Sequence, residues 1–316
     1  MAISDYKWQI LPQVEEWLSK IDILKEVFSV LPVLADTAEL IFEKSITNSA
    51  VSSAQIEDIP ATEHSPGTEG ENLINAYKFI YIQSVLPKLN TEVIKRLHKF
   101  VLQDISGYAG EYRHEPWAIF NSGGQVIHQT PLHILVPELM EELVTYINQL
   151  SEHPVIVAAI AQFIFEKIHP FADGNGRTGR LISSYLLHFY GYGLRGFVPI
   201  ENYINKNRDW YYQALYPSHT ISEFIHFYTT SLLSQSTLAL QNFKNPPQII
   251  SGPNLSPRRR EVLALLKDHP ESSFDFIRRR FMQVSPESLH RDLQFLQDKK
   301  LIRKLGATYG VVYSAT

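Results

Sequence analysis

The run Ile168 to Arg180, IHPFADGNGRTGR, constrains the fold more than any other stretch of this chain. Ahead of it, Pro154 to Ile168 reads as a helix from its apolar spacing. Pro170 disfavours helical geometry at the residue before it, so that helix should end near Ile168. A second helix is expected to begin near Arg177, which leaves Gly174, Asn175 and Gly176 at its N-terminus. The chain is thereby committed to two helices joined by a tight loop. Glycines there let successive backbone N–H groups converge, and the positive end of the helix dipole adds to them. Together these make a site for phosphate.

The side chains extend that reading. Asn175 can supply an amide at the same spot. Arg177 and Arg180 are three apart, hence on one helix face above the cradle. Two guanidiniums beside a phosphate cradle point to a polyphosphate rather than a single phosphate. Asp173 offers a hard oxygen ligand that suits magnesium bridging phosphates. His169 can be neutral at physiological pH and can take a proton from an incoming nucleophile. Taken singly, each feature would be an ordinary turn or loop residue. Taken together they describe a phosphoryl- or nucleotidyl-transfer site.

The rest of the chain reads as mostly α. At 316 residues, 44% apolar and 20% charged, it is long enough for two domains with a substantial core. Further helical candidates are Asn72–Leu86, Thr91–Asp104, Val136–Leu150, Arg177–Tyr190, Lys206–Tyr216 and Ile221–Asn242, with an N-terminal helical stretch broken at Pro12 and Pro32. Ala61 to Gly70 reads as a loop. Trp117 to Pro131 carries two apolar runs around NSGG and reads as a β-hairpin. No stretch suits a spanning helix, and the start lacks a secretory pattern. Cysteine is absent, which removes disulfides and thiolate metal sites and fits a cytoplasmic location.

The signature fits H-x-F-x-(D/E)-G-N-G-R-x-x-R at every fixed position, a match expected by accident on the order of 10⁻⁷ times or less in a chain of this length. That pattern resembles the Fic family. The resemblance spans roughly Ala35 to Leu240. GEYRHEPWAIF (Gly110–Phe120) and the TPLHILVPELMEEL that follows are similar to the family's flap hairpin and the segment after it. NKNRDWYYQAL (Asn205–Leu215) is similar to its nucleotide-pocket helix. The resemblance implies a helical bundle with a β-hairpin flap, formed by a helical region over 1–89 and a catalytic core over 90–243.

It also implies an activity: transfer of AMP from ATP to a Ser, Thr or Tyr hydroxyl of a target protein or of the chain itself. His169 would deprotonate the hydroxyl and Asp173 would hold magnesium. Gly174, Asn175, Gly176 and Arg177 would steady the phosphates, and Arg180 would grip the γ-phosphate. Phe171 would anchor the loop in the core. Tyr211 and Tyr212 would contact adenine, with Tyr212 favoured because adjacent helical residues cannot share a face; His219 is a further candidate. A target would dock by strand addition at the flap, about 114–128. The family's kinase-like branch carries Lys at the place of Gly176, and its phosphocholine-transferring branch carries Ala at that of Gly174, so neither is expected.

Upstream, SSAQIED (Ser52–Asp58) is similar to the family's inhibitory motif (S/T)-x-x-x-E-(G/N). The resemblance makes about 46–58 an inhibitory helix in which Ser53 and Glu57 fit the pattern, with Glu57 competing for Arg180. Asp58 departs from it, because Asp takes a left-handed cap less readily than Gly or Asn and adds charge at the negative helix end. Removal of AMP by the same site is the family's alternative activity, and a homodimer is its common assembly.

Lys244 to Pro257 is rich in Pro, Gly and Ser, so 244–256 reads as a linker. Beyond it, 257–316 shows three helices and a short hairpin, the order of a winged helix-turn-helix, with Ser285 as a helix cap. Ser251–Thr316 holds 12 Lys+Arg against 7 Asp+Glu, or +5, leaving −9 for the remainder of a chain whose net charge is −4. The clusters Arg258–Arg260 and Arg278–Arg280 would contact DNA phosphates if this tail reads DNA, which makes an ATP-sensing DNA-binding regulator the rival to the enzyme.

Overall fold

The computed structural model describes residues 3–120, 123–216, 220–244, 255–306 and 310–315. Its elements run α1 (Pro12–Val30), α2 (Ala35–Ile56), α3 (Gly67–Ile82), α4 (Thr91–Val101), β1 (Ala118–Phe120), β2 (Val126–Gln129), α5 (Val136–Gln149), α6 (Pro154–Ile168), α7 (Asn175–Phe189), α8 (Glu201–Lys206), α9 (Arg208–Leu215) and α10 (Ser222–Lys244). After these come α11 (Pro257–Asp268), β3 (Ser272–Ser273), α12 (Phe274–Arg280), α13 (Pro286–Asp298), β4 (Ile302–Leu305) and β5 (Val312–Ala315). The protein is therefore mostly helical with small antiparallel sheets. Two compact units divide at Lys244 and Asn245.

In the first unit α6 is the central helix. All of its 15 residues except Pro154 are buried, as an apolar surface on every side requires. Each fully buried Ile, Val or Phe contributes roughly 1.5–3 kcal/mol, so α6 is an anchor that cannot easily shift. Helices α7, α5 and α10 pack along it, and α2 and α4 pack on α7. Asn90 caps α4 by accepting from the Val93 N–H at 2.8 Å. The hairpin pairs β1 with β2, Ala118 opposite Gln129 and Ile119 opposite His128, with a register shift before Phe120.

Several boundaries differ from the sequence reading, among them α3 ending at Ile82 and α4 at Val101. Helix α3 begins at Gly67, so the end of the stretch read as a loop is helical. The helix expected over Lys206–Tyr216 is instead α8 and α9, broken at Asn207 (φ −124°, ψ 39°), whose side chain donates to the Tyr203 carbonyl at 2.8 Å. This local competition for the backbone is what Asn does at helix interruptions. Helix α7 begins at Asn175 rather than near Arg177.

The second unit has its own core, which includes Val262, Leu266, Ile277, Leu289, Leu293 and Leu296. Beyond the expected three helices and hairpin it contains β3, giving a three-stranded sheet in the order β3–β5–β4. Ser256, Ser273 and Ser285 cap α11, α12 and α13. The expected linker falls mostly on 245–254, outside the described residues.

The basic clusters of this unit are less available than the sequence implies. Buried Asp292 of α13 accepts from both Arg258 and Arg259, the latter at 2.7 Å. Arg280 pairs with Glu261 at 3.3 Å. Arg258 and Arg259 thus satisfy a buried carboxylate, a use that residue counts cannot reveal.

Candidate active site

The α6–α7 loop is shaped by two left-handed residues. His169 closes α6 at φ 49°, ψ 62°, its N–H donating to the Phe165 carbonyl at 2.9 Å. Gly174 precedes α7 at φ 75°, a conformation for which glycine carries no Cβ penalty. Between them Asn175, 2% exposed, clips the loop: its Oδ1 accepts from the Phe171 N–H at 3.0 Å and its Nδ2 donates to the Phe171 carbonyl at 2.8 Å. The Asn175 amide, expected to face a phosphate, holds the loop through its oxygen and one N–H, and Asn175 also lines the cleft. Phe171 is fully buried and stacks on His98 at 3.6 Å and 4°. His98 accepts from the Gly110 N–H at Nδ1, so Nε2 carries the proton and donates to the Asp173 carbonyl at 2.9 Å.

A cleft of about 430 Å³ gathers His169, Asp173, Gly174, Asn175, Gly176 and Arg177 of this loop, with Glu57, Glu69, Ile105 and Trp117 facing them. Burial, and next the charge of Arg113, press the His169 imidazole down to about 4, so it is neutral and proton-accepting at physiological pH. Its Nδ1 is buried without a partner among the described residues. Arg177 reaches back to Asp173 at 3.2 Å, with its guanidinium side buried and the carboxylate 69% exposed.

Arg180 is completely buried and is held by α2. Its Nε donates to Ser53 Oγ at 2.9 Å, and its Nη2 donates to the Ser53 carbonyl at 2.8 Å and to Glu57 Oε1 at 2.9 Å. Its Nη1 is buried with no partner among the described residues. The Glu57 carboxylate presses against the cradle so closely that a Cβ on Gly176 would lie 2.2 Å from Oε1. A carboxylate thus sits at the N-terminus of α7, where the helix favours an anion.

Asp58 adopts the left-handed conformation, at φ 58°, which Gly or Asn would take more readily. Its carboxylate is not left against the helix dipole: Arg208 of α9 pairs with it at 2.8 Å. Tyr211 is 1% exposed and accepts from Gln162 at 3.1 Å, a core position. Tyr212 is half-buried, and its hydroxyl donates to the Ile56 carbonyl at 3.1 Å, next to Glu57. The two tyrosines diverge as adjacent helical residues must, and neither lines the cleft. His219 lies outside the described residues.

Two participants were not legible in the sequence. Arg113 is buried beside His169 and is described below. Glu166, one turn before His169 on α6, is buried with its Oε1 unpartnered among the described residues, 2.6 Å from where a Cβ on Gly179 would stand. Burial, with the Glu57 charge adding to it, raises its carboxyl to about 8. A Glu inside a helix whose only other polar residues are Gln162 and Lys167 is the signal that could have flagged it.

Among the described residues no cluster of three acidic or histidine ligands forms a metal cage. One exposed carboxylate, Asp173, beside the glycine-flanked start of α7 nevertheless fits magnesium, which takes one or two carboxylates and completes its shell with water and substrate oxygens.

The sequence profile described as the Fic/DOC family matches residues 88–187. A Fido domain-containing protein of Dictyostelium discoideum is 38% identical over 110 residues, covering 34% of this chain and 68% of that one. The chain belongs to the Fic/DOC family. A protein named protein adenylyltransferase Fic from Drosophila ananassae is 36% identical over 100 residues, but the match spans 31% of this chain and only 20% of the fly protein. The crystal structure of a Fic family protein from Desulfovibrio desulfuricans superposes with a TM-score of 0.62 at 20% identity, covering 98% of this chain and 97% of that one. Residues 134–508 of Fic-1 from C. elegans superpose at 0.60 over 74% of this chain and 73% of that one, at 18% identity. These two likenesses establish the fold.

Proposed function

We propose that this protein is a protein adenylyltransferase, moving AMP from ATP to hydroxyl side chains of a target protein or of itself, and that the structure described is its restrained state. The observation that carries this reading is the assembly in one cleft of a neutral His169, the glycine-flanked start of α7 and Asp173, bordered by Glu57. Relatives named as adenylyltransferases point the same way.

In this reading the α7 N-terminus and Arg177 hold the phosphate chain, and Arg180 takes its far end. An incoming Ser, Thr or Tyr hydroxyl passes its proton to an imidazole nitrogen of His169 as its oxygen bonds to the α-phosphorus, and pyrophosphate leaves. Asp173 would hold magnesium, which supplies charge neutralisation on the phosphates. Such transfers rest on positioning and charge stabilisation more than on covalent help from the protein. The target's backbone would add to the exposed hairpin, where Val126 and Ile127 are 53% and 39% exposed.

Glu57 is the brake in this scheme. While it holds Arg180, the γ-phosphate loses its guanidinium and the chain of phosphates is displaced from in-line geometry. A displacement of about 1 Å can cost on the order of 100-fold in rate. The C-terminal unit would recruit partners as a winged helix. DNA binding is the less favoured role, since Asp292 and Glu261 already pair with three of its arginines.

The deciding experiment incubates wild type, Glu57→Gly and His169→Ala with magnesium and ATP labelled at the α- or the γ-phosphate, with and without cell lysate. Label from α-ATP only, stronger in Glu57→Gly and absent in His169→Ala, is the expected outcome. Label from γ-ATP would make the protein a kinase. Tight ATP binding with no label would favour a nucleotide-sensing regulator or an AMP-removing enzyme.

A further inference from the structure

Arg113 lies outside the signature, yet it touches more of the site's framework than any signature residue. It is 4% exposed. Its Nε donates to the His169 carbonyl at 2.8 Å, its Nη1 to the Glu115 carbonyl at 2.8 Å and its Nη2 to the Pro131 carbonyl at 2.6 Å. Its own N–H donates to the Pro170 carbonyl at 2.9 Å. Glu115 and Pro131 flank the hairpin on its two sides, since β1 and β2 run from 118 to 129. One planar guanidinium therefore fixes the carbonyl of the left-handed His169 and both feet of the flap. A second tie joins the same parts: His128 of β2 donates from Nε2 to the Lys167 carbonyl at 2.8 Å.

Two physical consequences follow. A guanidinium presents five N–H donors in a rigid fork, so three carbonyls bound to one fork cannot move independently. Its acceptors are all neutral carbonyls, and among the described residues no carboxylate lies within ion-pair reach of it. The charge is thus buried without a counter-ion, one residue's carbonyl away from the imidazole, where it disfavours the imidazolium.

We propose that Arg113 is the positioning residue of this site: it locks the His169 backbone and the two feet of the flap into one frame, so that whatever docks on the flap is registered against the base. The proposal rests on the adenylyltransferase reading for its rate effects. Its structural content stands apart from that reading.

The test places Arg113→Met and Arg113→Lys in the Glu57→Gly protein. Four quantities are read: magnesium-ATP affinity by calorimetry, the rate of self-labelling from α-labelled ATP, hydrogen exchange in the flap strands, and the titration midpoint of ¹³C-labelled His169, assigned with His169→Ala. Both variants are expected to bind ATP within about twofold of the parent while labelling falls by about 100-fold, the signature of misplacement rather than lost binding. Flap exchange should quicken in both. The His169 midpoint should rise in Arg113→Met, which removes the charge, and stay low in Arg113→Lys, which keeps it. Parent-like rates and exchange in both variants would overturn the proposal. So would ATP affinity falling in step with rate, or loss of the folded state in both variants, which would assign Arg113 to general stability. If the parent transfers no AMP, the enzymatic reading falls, and exchange and titration still decide the role of Arg113.

Discussion

At the scale of single residues, burial tunes the site more than any pair of charges does. His169 is pressed down to about 4, so it loses a proton below physiological pH and is neutral above that value. Transfer by the Glu57→Gly protein is accordingly expected to be flat from about pH 8 to 5 on the histidine limb, falling only as pH approaches the depressed value. A rate that halves near the ordinary histidine range would mean the base is solvated during turnover. Glu166 makes the opposite case. Its carboxyl binds a proton in the folded state up to about 8 but only to its ordinary 4.5 when unfolded. The folded state binds more protons between those values, so this group's contribution is full below 4.5 and is lost as pH rises to 8. Glu166→Gln should therefore melt higher than wild type above pH 8 and close to it below pH 4.5. Equal melting temperatures at pH 9 would show that the Glu166 carboxylate is accommodated without cost.

At the scale of elements, the proposed brake depends on how the end of α2 is held. The contacts that hold it include Ser53 and Glu57 on Arg180, the Tyr212 hydroxyl on the Ile56 carbonyl, Asp58 on Arg208, and Ser52 and Gln55 on Asn202 and Asn205. The Asp58 pair is solvent-exposed and weak by itself, but it offsets a left-handed Asp at the negative end of a helix. Arg208→Ala should raise basal AMP transfer severalfold in the wild-type chain and leave the already released Glu57→Gly protein unchanged. An equal effect in both backgrounds would place Arg208 in nucleotide handling instead of the brake. The structure puts Glu57 of this helix on Arg180 and gives the left-handed Asp58 a partner in Arg208. A side chain's preference for a conformation says nothing about a partner supplied from 150 residues away.

At the scale of the whole molecule, two compact units imply two separable functions. A chain ending at Lys244 keeps the entire core around α6 and the whole cleft, so it should melt cooperatively and retain self-labelling when Glu57 is Gly. Failure to fold would mean that the second unit contributes to the first core. Acid should unfold the first unit in a defined window. His98 and His169 both titrate near 4 when folded but near 6.5 when unfolded, each because burial penalises the charged ring. The unfolded chain binds more protons between those values, so stability is complete above 6.5 and declines as pH falls to 4. Replacing His98 with Gln should flatten part of that decline, read as melting temperature against pH. For the second unit, duplex binding with a shallow salt dependence would match arginines already committed to Asp292 and Glu261.

What the sequence determined by itself was the local chemistry: a helix stopped at His169 by Pro170, a glycine-flanked turn onto the next helix, and the residue types that cradle and neutralise phosphate. Those follow from backbone preferences and short spacing, which travel with the residues. What only the tertiary structure decided was which groups are free to act. The Asn175 amide clips Phe171, Arg180 is held by a helix more than 120 residues upstream, Glu166 keeps its proton because water is excluded, and Arg113 meets His169 across a loop. Hydrogen-bond partners and desolvation are properties of packed neighbours, and no spacing along the chain encodes them.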